Sequence, residues 1–274
     1  VGTVPRQQGG VEMGIKTEIA WTESTINFWW GCCKVSEGCL HCYAETDNKR
    51  YQLAEWGPGT LRTWIKTCYA NASRANKMGR ETGVKRRVFT LSMGDFFETH
   101  STLGDFRAKA WNHIKALTHC NWLVLTKRPE NIASMLPKDF YSGAYKHVHL
   151  GTTCEHEKYV DRLDHLRALP EWGGIRWVSY EPALSPIDHV VDLTGIDWLI
   201  YGGESSRSYL GFRKDNDDWA RAIKAKCERE GTVFFYKQNS GLKRKLIKKL
   251  DGVRHYNFPD FDKNHGKIKT EKKY

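Results

Sequence analysis

Seven short runs rich in β-branched and aromatic residues recur along the chain and constrain its fold more than any other feature. They are "TEIAWT" (17–22), "RVFTLS" (87–92), "NWLVLT" (121–126), "HVHLGTT" (147–153), "IRWVSY" (175–180), "DWLIYGG" (197–203) and "TVFFYKQ" (232–238). Most are nearly continuous apolar runs, the pattern of strands buried on both faces. Stretches of helical period lie between them. "GDFRAKAWNHIKALTH" aligns Phe106, Ala110, Ile114 and Leu117, and "EKYVDRLDHLRALP" aligns Val160, Leu163 and Leu166. "DNDDWARAIKAKCERE" opens acidic and ends basic, as a helix dipole favours. Strand and helix thus alternate six or seven times, which predicts an α/β fold on parallel strands.

Polar or charged residues follow nearly every run: Glu23, Asp95, Lys127 with Arg128, Glu155, Glu181, Glu204, and Lys237 with Gln238. An open sheet concentrates its site at one switch point, whereas a barrel assembles it from many strand ends. The expectation is therefore a full or partial TIM-like (β/α) barrel of six to seven parallel strands. Residues 17–259 read as a single barrel domain, residues 1–16 as a flexible leader and residues 260–274 as a basic tail.

No apolar run is long enough to span a bilayer, and the first residues lack the apolar stretch of a secretory signal. These features predict a cytoplasmic protein without a membrane partner, in which disulfides are disfavoured. Cys68, Cys120, Cys154 and Cys227 are scattered as buried thiols are. The formal charge of +11 owes much to "GLKRKLIKKL" (241–250) and to the last nine residues. Such a surplus suits a polyanionic partner, although a solubilising tail has the same composition.

The other four cysteines crowd into "GCCKVSEGCLHC", where Cys32, Cys39 and Cys42 are spaced C-x6-C-x2-C and Cys33 is a surplus neighbour. Zinc prefers four closed ligands, and Cys33 or His41 could complete three thiolates. His41 adjoins Cys42, which makes joint coordination awkward. A [4Fe–4S] cluster needs only three cysteines when one iron stays open, and in radical enzymes S-adenosylmethionine takes that iron. Both metal readings remain open on spacing alone. A P-loop, a "GxSxG" elbow and an "HExxH" helix are absent from the sequence, which argues against nucleotide hydrolysis, serine hydrolysis and zinc proteolysis.

Each strand-end residue has a functional and a structural reading. Lys127 and Arg128 could bind a phosphate or carboxylate, or pair with acids such as Glu155. Asp95 could orient substrate or cap a helix, and Lys237 with Gln238 could bind an anion. Glu181 could act in the chemistry or form a salt bridge in the mouth. Gly202 and Gly203 could let a ligand approach the backbone or merely turn the chain. Glu204 could accept from an amine or ribose. Trp21, Trp29 and Trp30 are expected around the cysteine loop, shielding a cluster or stacking on a base.

The segment "EIAWTESTINFWWGCCKVSEGCLHCYAE" resembles the opening of a bacteriophage and prophage family, the gp thirty-seven / gp sixty-eight proteins, described as three-Cys-motif and radical-SAM-like. The resemblance continues through "SMGDFFE", "LTKRPENI", "LGTTCEHEK", "VSYEPALSPID", "LIYGGESS", "FFYKQNSG" and "KLDGVRHYNFP", over residues 18 to 259. It implies Cys32, Cys39 and Cys42 as cluster ligands, His41 beside the adenine, and a phage-encoded protein in a bacterial host. "GGE" at 202–204 is like the radical-SAM motif that meets the methionine amino group, but follows the sixth run, not the second. The familiar radical-SAM cysteine spacing is also shorter.

The resulting expectation is an enzyme that cleaves S-adenosylmethionine to start radical modification or repair of a base or nucleotide, served by an electron-donor protein. Glu181 and Lys127 are assigned to catalysis. His41, Gly202, Gly203, Glu204 and Glu155 are assigned to cofactor, and Arg128, Asp95, Lys237 and Gln238 to substrate. The alternatives are a nucleic-acid-binding protein with a structural iron–sulfur or zinc site, and an iron–sulfur enzyme that does not use S-adenosylmethionine.

Overall fold

Seven strands form one parallel sheet whose spatial order is their order in the chain. They are β1 (Ser24–Ile26), β2 (Arg86–Thr90), β3 (Cys120–Thr126), β4 (Val148–Thr153), β5 (Arg176–Tyr180), β6 (Trp198–Gly202) and β7 (Val233–Gln238). The main helices are α1 (Tyr43–Tyr51), α2 (Cys68–Thr82), α3 (Leu103–Ala116), α4 (Arg162–Arg167) and α5 (Asp217–Glu230). This computed structural model describes residues 17–206, 211–262 and 269–270. The expected leader and most of the expected tail lie outside them.

Winding in chain order keeps right-handed crossovers on one side of a sheet. The helices accordingly cover a single face, and the other face must bury itself by curling. Successive strand residues alternate between the two, as the pleat requires. Val88, Trp122, Val124 and Leu150 join α2 and α3 in one core. Val178, Leu199, Tyr201 and Tyr236 join α4 and α5 in a second. Phe89, Leu123, Trp177, Trp198, Ile200 and Phe235 form a third, on the concave side.

Trp21 shows how far the sheet curls. In a flat sheet β2 and β5 would lie about 14 Å apart, three steps of about 4.8 Å. Yet the Trp21 ring sits 4.7 Å from Phe89 on β2, 5.4 Å from Trp177 on β5 and 6.4 Å from Trp198 on β6. Gly151 on β4 makes room for this filling, since a Cβ there would lie 2.4 Å from the Trp177 ring. Among the described residues β1 and β7 do not pair, so the architecture is a partial (β/α) barrel, within the expected class. The outer edge of β7 is covered by the returning chain, where Tyr236 N–H donates to His255 at 2.8 Å and Phe235 bridges Tyr256.

Six of the seven expected strands form within one or two residues of their runs. The first does not: "TEIAWT" is not a strand, and β1 starts at Ser24. The apolar members of that run face the concave core, where Trp21 is 2% exposed and plugs the barrel instead of shielding the cysteine loop. Glu23 consequently lies before β1, at the opposite end from the mouth, where it accepts from Arg87 N–H at 2.6 Å. Packing continues to Phe261, whose ring lies 5.8 Å from Trp198. Among the described residues no helix is long and apolar enough to cross a membrane.

Candidate functional site

The pleat that directs apolar side chains into the barrel also directs charges into its mouth. Stepping two residues at a time along the concave face leads from Leu125 to Lys127, from Gly151 to Glu155, from Trp177 to Glu181, from Ile200 to Glu204 and from Phe235 to Lys237. The cysteine loop lies over the same end. It begins at Gly31, whose φ of 108° suits glycine and whose N–H donates to Met93 at 3.0 Å.

Residues beyond four strands hold the loop down. Past β2, the Ser92 carbonyl accepts from Tyr43 Oη at 3.3 Å. Past β3, Arg128 Nη2 donates to the Cys33 carbonyl at 2.6 Å. Past β4, Glu155 accepts from Ser36 Oγ, and Gly38 lies so close that a Cβ would be 2.7 Å from Glu155 Oε1. Past β6, Glu204 Oε2 pairs with His41 Nδ1 at 3.1 Å, while Arg213 grips Glu204 and donates to the Glu37 carbonyl at 2.9 Å. The loop is therefore laid across the mouth.

Much of the expected binding set is engaged in this clasp. Glu155 is wholly buried and meets Arg162 Nη1 at 2.9 Å and Lys127 Nζ at 3.4 Å. Burial pushes its carboxyl pKa up, but Lys127, Arg162 and Ser36 together hold it below its ordinary value. Glu204 behaves alike, with burial outweighed by Arg213 and His41. Asp95 accepts from Thr126 Oγ1 at 2.6 Å, Lys127 N–H at 3.0 Å and Arg128 Nη1 at 2.9 Å, so it fixes the turn after β3. Gly203 is required by packing, because a Cβ there would lie 2.0 Å from Ser240 N. Gln238 donates to the Gly203 carbonyl at 3.3 Å.

A separate pair stands in the mouth. Lys237 Nζ donates to Glu181 Oε1 at 2.5 Å, and Ser179 Oγ donates to Glu181 Oε2 at 3.1 Å. Gly202 leaves space for Glu181, since a Cβ would lie 2.6 Å from its Oε1. Ser36, Arg162 and Arg213 complete the arrangement and were not singled out from sequence. A serine within the loop and two arginines inside or beside helices carry no motif of their own.

All eight cysteines are free thiols, and the four outside the loop are buried as expected. Cys42 directly precedes α1, where the backbone N–H groups of Ala44 and Glu45 favour its thiolate, although burial dominates and raises its pKa. Cys32 is pushed up further, by burial and then by Asp95 and Glu98, against Arg128. Electrostatic coupling links Cys42 to both Cys32 and Cys39. A cation on the Cys32 and Cys42 sulfurs would relieve the penalty of ionising them. The donor set thus fits a thiolate-bound metal or cluster, although among the described residues no three His, Cys, Asp or Glu side chains stand close enough to hold a metal ion as they are. Beside the loop, a cleft of about 690 Å³ is lined by Cys33, Arg62, Glu98, Lys127, Arg128 and Arg162.

Fold and site together define a partial (β/α) barrel with a cysteine-bearing loop over its carboxyl-end mouth. The chain belongs to the family described as "Protein of unknown function (DUF5131)", which it matches over residues 16–263. No curated protein matches it in sequence. Similar solved structures include a cysteine-to-alanine mutant of spore photoproduct lyase with dinucleoside spore photoproduct, at 12% identity and a TM-score of 0.44, covering 76% of this chain and 62% of that one. A tyrosine-to-phenylalanine mutant of the same lyase shows 9% identity and a TM-score of 0.49, covering 82% of this chain and 78% of that one. The chain therefore spans less than two thirds of the first of these structures.

Proposed function

We propose that this protein is an iron–sulfur enzyme of the radical S-adenosylmethionine type, acting on a nucleic acid base or nucleotide. The observation that carries the reading is the placement of Cys32, Cys39 and Cys42 on one loop laid across the mouth, with Cys42 at the α1 N-terminus. These three residues would hold the cluster. A [4Fe–4S] cluster on three thiolates leaves one iron free for the amino and carboxylate groups of S-adenosylmethionine, and supplies the electron that breaks its sulfonium.

The protein's own residues set the surroundings. Arg128, Glu155 and Glu204 fix the loop on the barrel. Glu204 also orients His41, next to Cys42. The Trp21, Trp177 and Trp198 filling closes the barrel floor to water. At the mouth, among the described residues, Lys127, Arg162, Arg213 and Lys237 pair with three carboxylates, Glu155, Glu181 and Glu204. The surplus positive charge favours anionic groups of cofactor and substrate. The hydrogen bond from Lys237 Nζ to Glu181 Oε1 supports a role for this pair in proton exchange with a substrate.

A second reading, a structural iron–sulfur or zinc site in a nucleic-acid-binding protein, draws on the clasp itself, because so many strand-end charges serve to hold the loop. Anaerobic reconstitution with iron and sulfide, followed by metal analysis and EPR with and without S-adenosylmethionine, separates the two. About four irons per chain and a spectrum altered by the cofactor are expected. Zinc without sulfide would leave the structural site. A cluster indifferent to S-adenosylmethionine would leave an enzyme of another kind.

A further inference from the structure

The chain beyond β7 forms a strongly basic loop at the rim of the barrel. Asn239 N–H donates to the Ile247 carbonyl at 3.0 Å, and Ile247 N–H donates to Asn239 Oδ1 at 2.7 Å, so residues 239–247 close on themselves. Their root is fixed to the rim. Gly241–Leu242 pairs with Ser205–Ser206, just beyond β6, and Gly241 N–H donates to the Glu204 carbonyl at 2.9 Å. The buried Leu242 and Leu250 anchor the two ends. Between them Lys243, Arg244, Lys245, Lys248 and Lys249 are all exposed, with no acidic residue from Asn239 to Leu250.

Only part of this charge is matched. Lys243 reaches Glu18 at 3.0 Å, whereas Arg244, Lys248 and Lys249 form no ion pair among the described residues. Elsewhere the surface intersperses its signs, as in the Lys77–Glu81, Lys224–Glu228 and Lys226–Glu230 pairs. Holding five like charges between Lys243 and Lys249, three within the closed loop and two just past it, costs free energy through self-repulsion, and a polyanion bound there would remove that cost while releasing its counterions.

We infer that this loop is a phosphodiester clamp, which holds the backbone of a nucleic acid strand along the rim while one base reaches the mouth. The inference rests on the proposed action on a base and narrows it: the substrate is a polymer, since a free nucleotide offers too few phosphates to span the loop. A membrane surface fits less well, because Ile247, at 57% exposure, is the one strongly exposed apolar side chain among the cations. A membrane-binding face would present an apolar stripe.

The test is binding of fluorescein-labelled single-stranded DNA and RNA of about a dozen nucleotides, followed by anisotropy across a salt series. Three proteins are compared: the unaltered chain, R244E/K248E/K249E, and a control that reverses three exposed cations on outer helices, R74E/R80E/K109E. The loop variant should bind on the order of tenfold or more weakly, and its log–log salt slope should be shallower by about 2–3. The control should bind nearly as well as the unaltered chain. Matching thermal unfolding would exclude misfolding, and unchanged iron loading would separate failure of the clamp from failure of the cluster. Equal losses in both variants would reduce the effect to net charge and overturn the clamp. So would absence of oligonucleotide binding at low salt, equal binding by the loop variant, or preferential binding to phosphatidylglycerol-containing vesicles.

Discussion

Replacing Glu155 with alanine tests whether the clasp holds the cysteine loop. The carboxylate is wholly buried between Arg162 and Lys127 and receives the loop's Ser36 hydroxyl. Removing one partner of a buried ion pair costs about 3–5 kcal/mol, because the remaining charge stays desolvated. Lys127 and Arg162 keep some access to water, at 20% and 10% side-chain exposure, so the lower end applies. At about 2–4 °C per kcal/mol for a domain of this size, 3 kcal/mol predicts a melting point lower by about 6–12 °C.

The pH dependence gives an independent check. Because the folded pKa of Glu155 is lowered, its stabilisation is fully present above the unfolded value and vanishes as pH falls through the folded one. The stability gap between the unaltered chain and Glu155→Gln should therefore narrow only below about pH 4.3, the ordinary glutamate value. Calorimetry across pH measures that gap, and the alkylation rate of Cys39 reports loop release, rising in both variants. An alanine variant within about 1 kcal/mol of the unaltered chain at neutral pH, with unchanged alkylation, would refute the clasp.

Three further expectations follow from the same geometry. Cys33→Ser should keep iron and sulfide after reconstitution, whereas Cys32→Ser, Cys39→Ser and Cys42→Ser should each lose most of both by metal analysis. Gly151→Ala should destabilise by about 1–3 kcal/mol or more in urea unfolding, because its Cβ would meet the Trp177 ring at 2.4 Å. Lys237→Met should cost about 2–4 kcal/mol by leaving Glu181 unpaired at 13% exposure, and adding Glu181→Gln should recover part of that loss in a double-mutant cycle.

The parallel strands were legible because burial on both faces makes each a continuous apolar run. The exceptions have identifiable causes. β1 has only three residues, too few to establish a period, while the neighbouring Trp21 run looks strand-like because it fills the concave core. Helix α2 was missed because it packs with Cys68, Ala72, Ala75 and Gly79, small residues that leave no conspicuous apolar stripe. Gly79 must be small, as a Cβ there would lie 2.1 Å from the His119 carbonyl oxygen. In the site, the strand-end charges were legible individually and their partnerships were not. Sequence suggested that Lys127 could pair with Glu155, but contained nothing to connect Ser36 with Glu155 or Arg213 with Glu204.

The clasp also imposes an order on assembly. The cysteine loop lies near the start of the described chain, yet its partners come much later: Ser36 meets Glu155 across 119 positions, His41 meets Glu204 across 163, and Glu37 meets Arg213 across 176. During synthesis the thiols emerge well before the residues that shape their loop. Such distant contacts are also the slowest to form once the chain is complete. The loop reaches its final form only after β6 and the segment bearing Arg213 have been made, so any metal that needs this arrangement must arrive after that segment has been synthesised.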